Sequence, residues 1–276
     1  MDLLTGWGKM KKRIAGHGAV LDKHVLKTVK KILGRKKQEE ELIRRGELLV
    51  ERVQTGIKGF DNLVEGGIPK NFLVLVTGGP GTGKTIFGIE FLVKGVLMGE
   101  RGVYLTLEEE SEKIEKQSEQ FGWPVTKLEK ENNLLVLKSS LYDFSKLKEL
   151  IQDNIVNFGA KRLVIDSISL LGLYFKDAFT IRRALLDMEK GLREIECTTI
   201  VISETQSESG SLSPFGVEEF IADGIVLLYM AKKNGEFKRG ITVRKMRLTN
   251  HSLKIHPLKI TKKGGIEVEH SKEFSA

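Results

Sequence analysis

The stretch Phe72-Leu73-Val74-Leu75-Val76-Thr77-Gly78-Gly79-Pro80-Gly81-Thr82-Gly83-Lys84-Thr85 decides the fold. Phe72–Val76 is a short unbroken apolar run, which reads as a strand buried on both faces. It feeds a loop of the form Gly-x-x-x-x-Gly-Lys-[Ser/Thr], and Lys84–Leu97 then carries apolar residues at helical spacing. Strand, glycine loop and helix in that order form a cradle for phosphate. Glycines permit positive φ and let successive backbone N–H groups converge on phosphate oxygens. The helix opened by Thr85 offers unpaired donors and partial positive charge at its N-terminus. Lys84 supplies an ammonium for the β- and γ-phosphates, and the Thr85 hydroxyl a ligand for Mg²⁺. The whole loop, Gly78, Gly79, Pro80, Gly81, Thr82, Gly83, Lys84 and Thr85, is therefore expected to hold ATP and magnesium.

Downstream, strands and helices alternate. Gly102–Leu107, Leu134–Lys138, Leu163–Ile165 and Thr198–Ile202 read as strands. Ser111–Phe121, Phe144–Asn157 and Ile181–Glu196 read as helices between them. Such alternation implies a mostly parallel sheet covered on both faces. After Gly224 the pattern is all strand: Ile225–Tyr229, Arg239–Lys245, Leu253–Ile260 and Gly265–Val268, expected to pair antiparallel at one edge. There is no internal repeat and no second phosphate loop.

Two carboxylate positions suit the chemistry of a bound triphosphate. Arg162-Leu163-Val164-Ile165-Asp166 is an apolar strand ending in an acid, the expected magnesium partner of Thr85. Tyr104-Leu105-Thr106-Leu107 is followed by Glu108, Glu109 and Glu110 at the strand end that faces the ligand crevice in open α/β sheets. Helix-dipole capping accounts for one or two of these acids. Glu108 is the candidate base for water.

Upstream, the character changes. Residues 1–37 hold eleven Lys and Arg against Asp2 and Asp22, whereas the other 239 residues carry 34 basic and 35 acidic side chains. The net charge of +8 is thus a property of the tail. Leu21, Val25, Val29 and Ile32 make an apolar stripe with Lys23, Lys27, Lys30 and Lys31 on other faces, an amphipathic basic helix. A second short helix is expected over Glu39–Arg45. Residues 1–47 read as a helical extension and 48–276 as the catalytic domain. The extension could pack on a neighbouring subunit, lie on an anionic membrane surface, or touch DNA phosphates. No run of about 18 apolar residues suggests a membrane span. The single Cys197 excludes an internal disulfide or thiolate zinc site and fits a cytoplasmic location.

The order of parts resembles the RecA superfamily, and within it the KaiC-like ATPases of archaea and bacteria. The resemblance covers roughly residues 50–268. It rests on Thr55-Gly56-Ile57-Lys58-Gly59-Phe60-Asp61 leading into Gly66-Gly67-Ile68-Pro69, on the phosphate loop, and on Tyr104 to Glu109. Gly216-Val217-Glu218-Glu219-Phe220-Ile221-Ala222-Asp223 and Lys245-Met246-Arg247 complete it. The resemblance implies a homo-hexameric ring with ATP held between neighbours, and an ATP-hydrolysing protein of regulatory or signalling role with a further protein partner. It implies Glu108 as water-activating base with Glu109 beside it, and Lys245 and Arg247 reaching in trans to a neighbour's γ-phosphate. From sequence alone those two would be solvated charges alternating with Met246 and Leu248 on one strand. The duplicated clock members of the family phosphorylate an adjacent Ser and Thr; the matching positions here are Glu219 and Phe220, so autokinase activity does not transfer.

Two other functions compete. A RadA/RadB-type DNA recombination ATPase would bind single-stranded DNA, but the domain is near neutral and lacks a helix-hairpin-helix module. Its Phe175-Lys176-Asp177-Ala178 follows the magnesium strand instead of preceding the core. A nucleotide-dependent interaction module with little turnover is the third reading, opposed by the Glu108-Glu109 pair and the Lys-x-Arg motif.

Overall fold

The computed structural model describes residues 50–139, 144–171, 175, 177–194, 196–205, 213, 214, 216, 218–233 and 235–274. The two expected N-terminal helices and the serine-rich stretch 206–212 lie outside the described residues. One compact unit spans Glu51–Ala276.

Strand β3 (Leu73–Gly78) is the axis of the fold, and all six residues are buried. Successive strand side chains point to opposite faces. Val74 and Val76 accordingly join one apolar cluster with Phe87 and Phe91 of helix α1 (Lys84–Leu97). Leu73 and Leu75 join a second cluster with Ile151 and Ile155 of α4 (Phe144–Phe158) and Ile181 and Leu185 of α5 (Ala178–Glu194). The unbroken apolar run of this strand follows from having helices on both faces.

The other parallel strands are β4 (Gly102–Thr106), β5 (Leu134–Lys138), β6 (Arg162–Asp166) and β7 (Thr198–Glu204). The edge strands are β8 (Gly224–Lys233), β9 (Glu236–Met246), β10 (His256–Thr261) and β11 (Gly265–Val268). The sheet order is β11-β10-β9-β8-β3-β7-β6-β4-β5. Strand β3 runs parallel to both β7 and β8, while β8 to β11 pair antiparallel. This is the mixed α/β architecture of the RecA fold, with the antiparallel strands where they were expected.

Three details differ from the sequence reading. A small antiparallel pair, β1 (Arg52–Val53) with β2 (Ile68–Pro69), precedes the main sheet. Short helices α3 (Val125–Lys130) and α6 (Glu218–Ile221) are added; α2 (Ser111–Gln120) lies where a helix was expected. Strand β9 is also not evenly alternating. Its register steps from Val226↔Val243 to Ile225↔Lys245, leaving Arg244 as an extra residue in a bulge. The bulge lets Val243 and Met246, three apart, enter the same core cluster. The strand ends at Met246, so Leu248 leaves the alternation and is exposed.

The Thr55–Asp61 segment has a structural role. Asp61 Oδ1 accepts the backbone N–H and hydroxyl of Thr55 at 3.0 and 2.7 Å, and Oδ2 accepts the Gly56 N–H at 3.1 Å. A half-buried carboxylate with three donors closes this loop, although desolvation still raises its pKa.

Candidate functional site

The phosphate loop connects β3 to α1 in the order the sequence predicted. Two glycines are required by the geometry. Gly83 caps the helix at φ 106°, a left-handed conformation. A Cβ on Gly78 would stand 2.1 Å from the Leu228 carbonyl oxygen of the adjacent strand. Thr82 Oγ1 donates to Gly79 O at 2.9 Å and holds the loop closed.

Lys84 folds back under the loop, its Nζ donating to Gly78 O at 2.9 Å and Gly79 O at 3.1 Å. Burial lowers its pKa, opposed by Glu204, Asp166 and Glu108. Three acids close to one ammonium make this the charge centre of the site.

Asp166, at the end of β6, is 81 residues from Thr85 in the chain and bonded to it in space. Thr85 Oγ1 donates to Asp166 Oδ2 at 2.8 Å, and the Tyr104 hydroxyl donates to the same oxygen at 2.6 Å. Burial raises the Asp166 pKa, while the two hydroxyls and Lys84 pull it down. Burial and the nearby Asp166 charge push the Tyr104 phenol well above its ordinary value. Tyr104 is thus a fixed donor.

Glu108 is exposed at the mouth of the sheet, where Oε1 accepts the Ser167 hydroxyl at 2.7 Å. Ser167 follows Asp166 through a cis peptide. The two expected carboxylates are therefore presented from neighbouring strands, β4 and β6. Glu109 diverges. Thr106 Oγ1 holds its backbone on both sides, and its carboxylate accepts Lys113 at 2.5 Å and Gln117 at 3.4 Å. The start of α2 claims that acid, as i,i+4 spacing to Lys113 allows.

Lys84 and Thr85 also line a cleft of about 530 Å³. Gly81, Gly83, Ile86, Gln117, Gln120, Phe121, Arg239, Ile260 and Lys262 line it with them. Its volume is in the range of small-molecule sites, and its wall combines one aromatic ring, aliphatic carbons and amides. Arg239 Nε donates to Gly81 O at 3.0 Å and braces the loop. The residues suit a nucleotide with magnesium: an anion cradle, a hydroxyl–carboxylate pair of hard oxygen ligands, and an adjoining cleft.

Lys245 and Arg247 lie elsewhere. Arg247 N–H donates to Asp223 O, and Asp223 N–H to Leu73 O, which places Arg247 beside the start of β3. At about 3.3 Å per residue, that is roughly 16 Å along the sheet from Gly78. Lys245 Nζ donates to Glu219 O at 3.1 Å and Ala222 O at 2.6 Å. Neither side chain joins its own phosphate loop.

Sequence reasoning missed Tyr104, Ser167 and Arg239. Tyr104 was hidden as one more apolar strand residue, and Ser167 carried no motif. Arg239 comes from a strand 158 positions away from its carbonyl partner.

Comparisons with known proteins identify the family. The family model for the KaiC ATPase matches residues 53–273. A UPF0273 protein of Thermotoga maritima is 37% identical over 234 residues, covering 78% of this chain and 95% of the relative. Circadian clock protein KaiC3 of Synechocystis is 33% identical over 230 residues, 79% of this chain but only 46% of that protein. The crystal structure of a KaiC-like protein from Pyrococcus horikoshii OT3 superposes with a TM-score of 0.74 at 42% identity, covering 80% of this chain and 99% of that one. With its loop, carboxylate strands and sheet order, the chain belongs to the KaiC ATPase family.

Proposed function

We propose that the protein binds ATP with magnesium and hydrolyses it within a ring of like subunits, in a regulatory or signalling role. The observation that carries this reading is the convergence of Lys84, Thr85, Asp166 and Glu108 at one end of the sheet, beside the cleft. A loop that only bound nucleotide would not need an exposed, oriented carboxylate at Glu108.

In this mechanism the loop N–H groups and Lys84 hold the β- and γ-phosphates. Thr85 and Asp166 would hold the metal ion, with Tyr104 fixing the carboxylate. Magnesium, when bound, neutralises charge on the phosphate oxygens. Glu108, steered by Ser167, orients water and accepts its proton. Lys245 and Arg247 act on the site of the next subunit, since their own site is a sheet-length away.

Phosphate release measured for the parent, Glu108→Gln and Lys84→Ala tests the reading. The Gln variant is expected to bind Mg·ATP with parental affinity and to turn over about 10²-fold more slowly, the usual scale for losing an acid–base group. The Ala variant should lose binding. Equal rates in all three would overturn hydrolysis; calorimetric binding with no turnover in the parent would leave a nucleotide-dependent interaction module.

A further inference from the structure

We propose that Asp223 is the positioning residue for the trans-acting pair, clamping Arg247 directly and Lys245 through the corner it anchors. The proposal rests on the reading of Lys245 and Arg247 given above.

Asp223 is buried, with a side-chain exposure of 2%, yet Arg193 and Arg247 on either side are about half exposed. Arg193 Nη2 contacts both of its oxygens at 2.7 Å, and Arg247 Nη1 donates to Oδ1 at 2.9 Å. The Leu73 N–H donates to Oδ2 at 3.2 Å. The backbone adds a second grip: Asp223 N–H donates to Leu73 O at 2.8 Å, and Arg247 N–H donates to Asp223 O at 3.0 Å. One residue therefore fixes both the main chain and the guanidinium of Arg247 against the central strand.

The charge arithmetic favours an active rather than a cancelled arginine. Arg193 also pairs with Glu189, so two carboxylates face the three cations Arg193, Arg247 and Lys245, and the cluster keeps a net positive charge. Of the five N–H donors on Arg247, one is bonded among the described residues, to Asp223. The side chain is held at its root while most of its fork stays available for phosphate oxygens. Lys245 is seated on the carbonyls of Glu219 and Ala222, just ahead of Asp223. Those partners are neutral and bring no opposing charge, while burial and Arg247 lower the Lys245 pKa against Asp223. A preorganised pair of cations at the sheet end is what a neighbour's phosphate requires, because a displacement of about 1 Å can cost 10²-fold in rate.

The test compares the parent with D223N, R247A and the double variant, reading kcat, KM, ring assembly by light scattering and thermal midpoint. Asn keeps the size and the acceptor for the Leu73 N–H but removes the charge that orders the guanidiniums. D223N is expected to lower kcat about tenfold to hundredfold, with KM for ATP within about threefold. Added to R247A, it should lower kcat by less than about twofold, because residues acting as a unit are not additive. Unchanged kcat in D223N, an equal loss in both backgrounds, or a ring that falls apart would overturn the positioning role while leaving the trans reading in place. Parental kcat in R247A would instead overturn the trans reading, and this role with it. Where D223N does not fold, R193Q carries the same test. Without Arg193 the carboxylate closes on Arg247 and draws it from phosphate, so kcat falls only when Arg247 is present; a fall independent of Arg247 overturns the proposal.

Discussion

The two ends of β3 are chemically opposite. At Gly78 the strand opens into backbone donors and one ammonium, faced by the acids Asp166, Glu108 and Glu204. At Leu73 it is closed by Asp223, with Arg193, Arg247 and Lys245 gathered around the same corner. The first end has a cleft and an oriented acid beside it; the second has cations held by neutral carbonyls, by the carboxylate that Arg193 and Arg247 share, and by Glu189 on Arg193. The difference teaches that one strand separates two oppositely charged groups within a single chain. Under the proposed function, copies of the chain meet with the cationic end of one at the cleft of the next.

The sharpest way to break that comparison is to cripple opposite ends in different subunits. R247A should reduce ATP turnover by about 10³-fold, the lower range for a trans-acting arginine. K84A should be inactive through loss of binding. Mixed rings of the two should regain activity that neither shows alone, because some junctions pair an intact loop with an intact cationic corner. Turnover that stays absent at every mixing ratio would place both functions within one subunit.

A second experiment separates stability at the cleft end from chemistry. Glu90 is buried in α1, where Oε2 accepts the Ile266 N–H at 2.7 Å and Oε1 has no hydrogen-bond partner among the described residues. Burial pushes its carboxyl up to about 7 from 4.5, so the folded state favours the protonated form. The stability it contributes is present below pH 4.5 and is lost as pH rises through about 7. Glu90→Gln should therefore match the parent near pH 4 and exceed it by roughly 3 kcal/mol at pH 8. Chemical denaturation at the two pH values measures this, and a gain independent of pH would sink the assignment. Turnover should be unchanged, since the Glu90 carboxylate faces β11 and bonds none of Lys84, Thr85, Asp166 or Glu108.

The smallest effect belongs to Tyr104→Phe. It removes one donor to Asp166 but leaves Thr85 in place, at a cost of about 1.5–3 kcal/mol for a buried bond to a charged group. A weaker apparent affinity for magnesium in the ATPase assay, with unaltered ATP binding in excess metal, is the expected signature. Identical magnesium dependence would reduce Tyr104 to a packing residue.

Much of the cleft end was legible in the chain. The loop and the helix it opens are contiguous, so their spacing specifies their geometry before any folding partner is chosen. Asp166 was legible because an acid closing an apolar strand in an alternating pattern has few other places to be. Glu109 shows the limit of that logic. It is adjacent to Glu108 in sequence, yet Lys113 and Gln117 draw it onto α2. The cationic end was far less readable. Strict alternation would have paired Arg247 with Lys245 on one face, but β9 ends at Met246, before Arg247. Asp223 stood in a recognisable segment without any hint of its partners. Glu90 was a lone charge inside Ile86-Phe87-Gly88-Ile89-Glu90-Phe91, a signal present in the pattern but uninterpretable until β11 was known to lie against it.

By itself the amino-acid order determined what can be written in one local stretch: the phosphate loop, its flanking strand and helix, and the alternation that makes a mostly parallel sheet. Only the tertiary structure decided which charges share an end of that sheet. Asp223 meets Leu73 across 150 residues and Thr85 meets Asp166 across 81, and such pairings depend on strand order and register. Local spacing fixes backbone geometry within a few residues, whereas electrostatic partnership falls off over a few ångströms and is assigned only when distant strands are laid side by side.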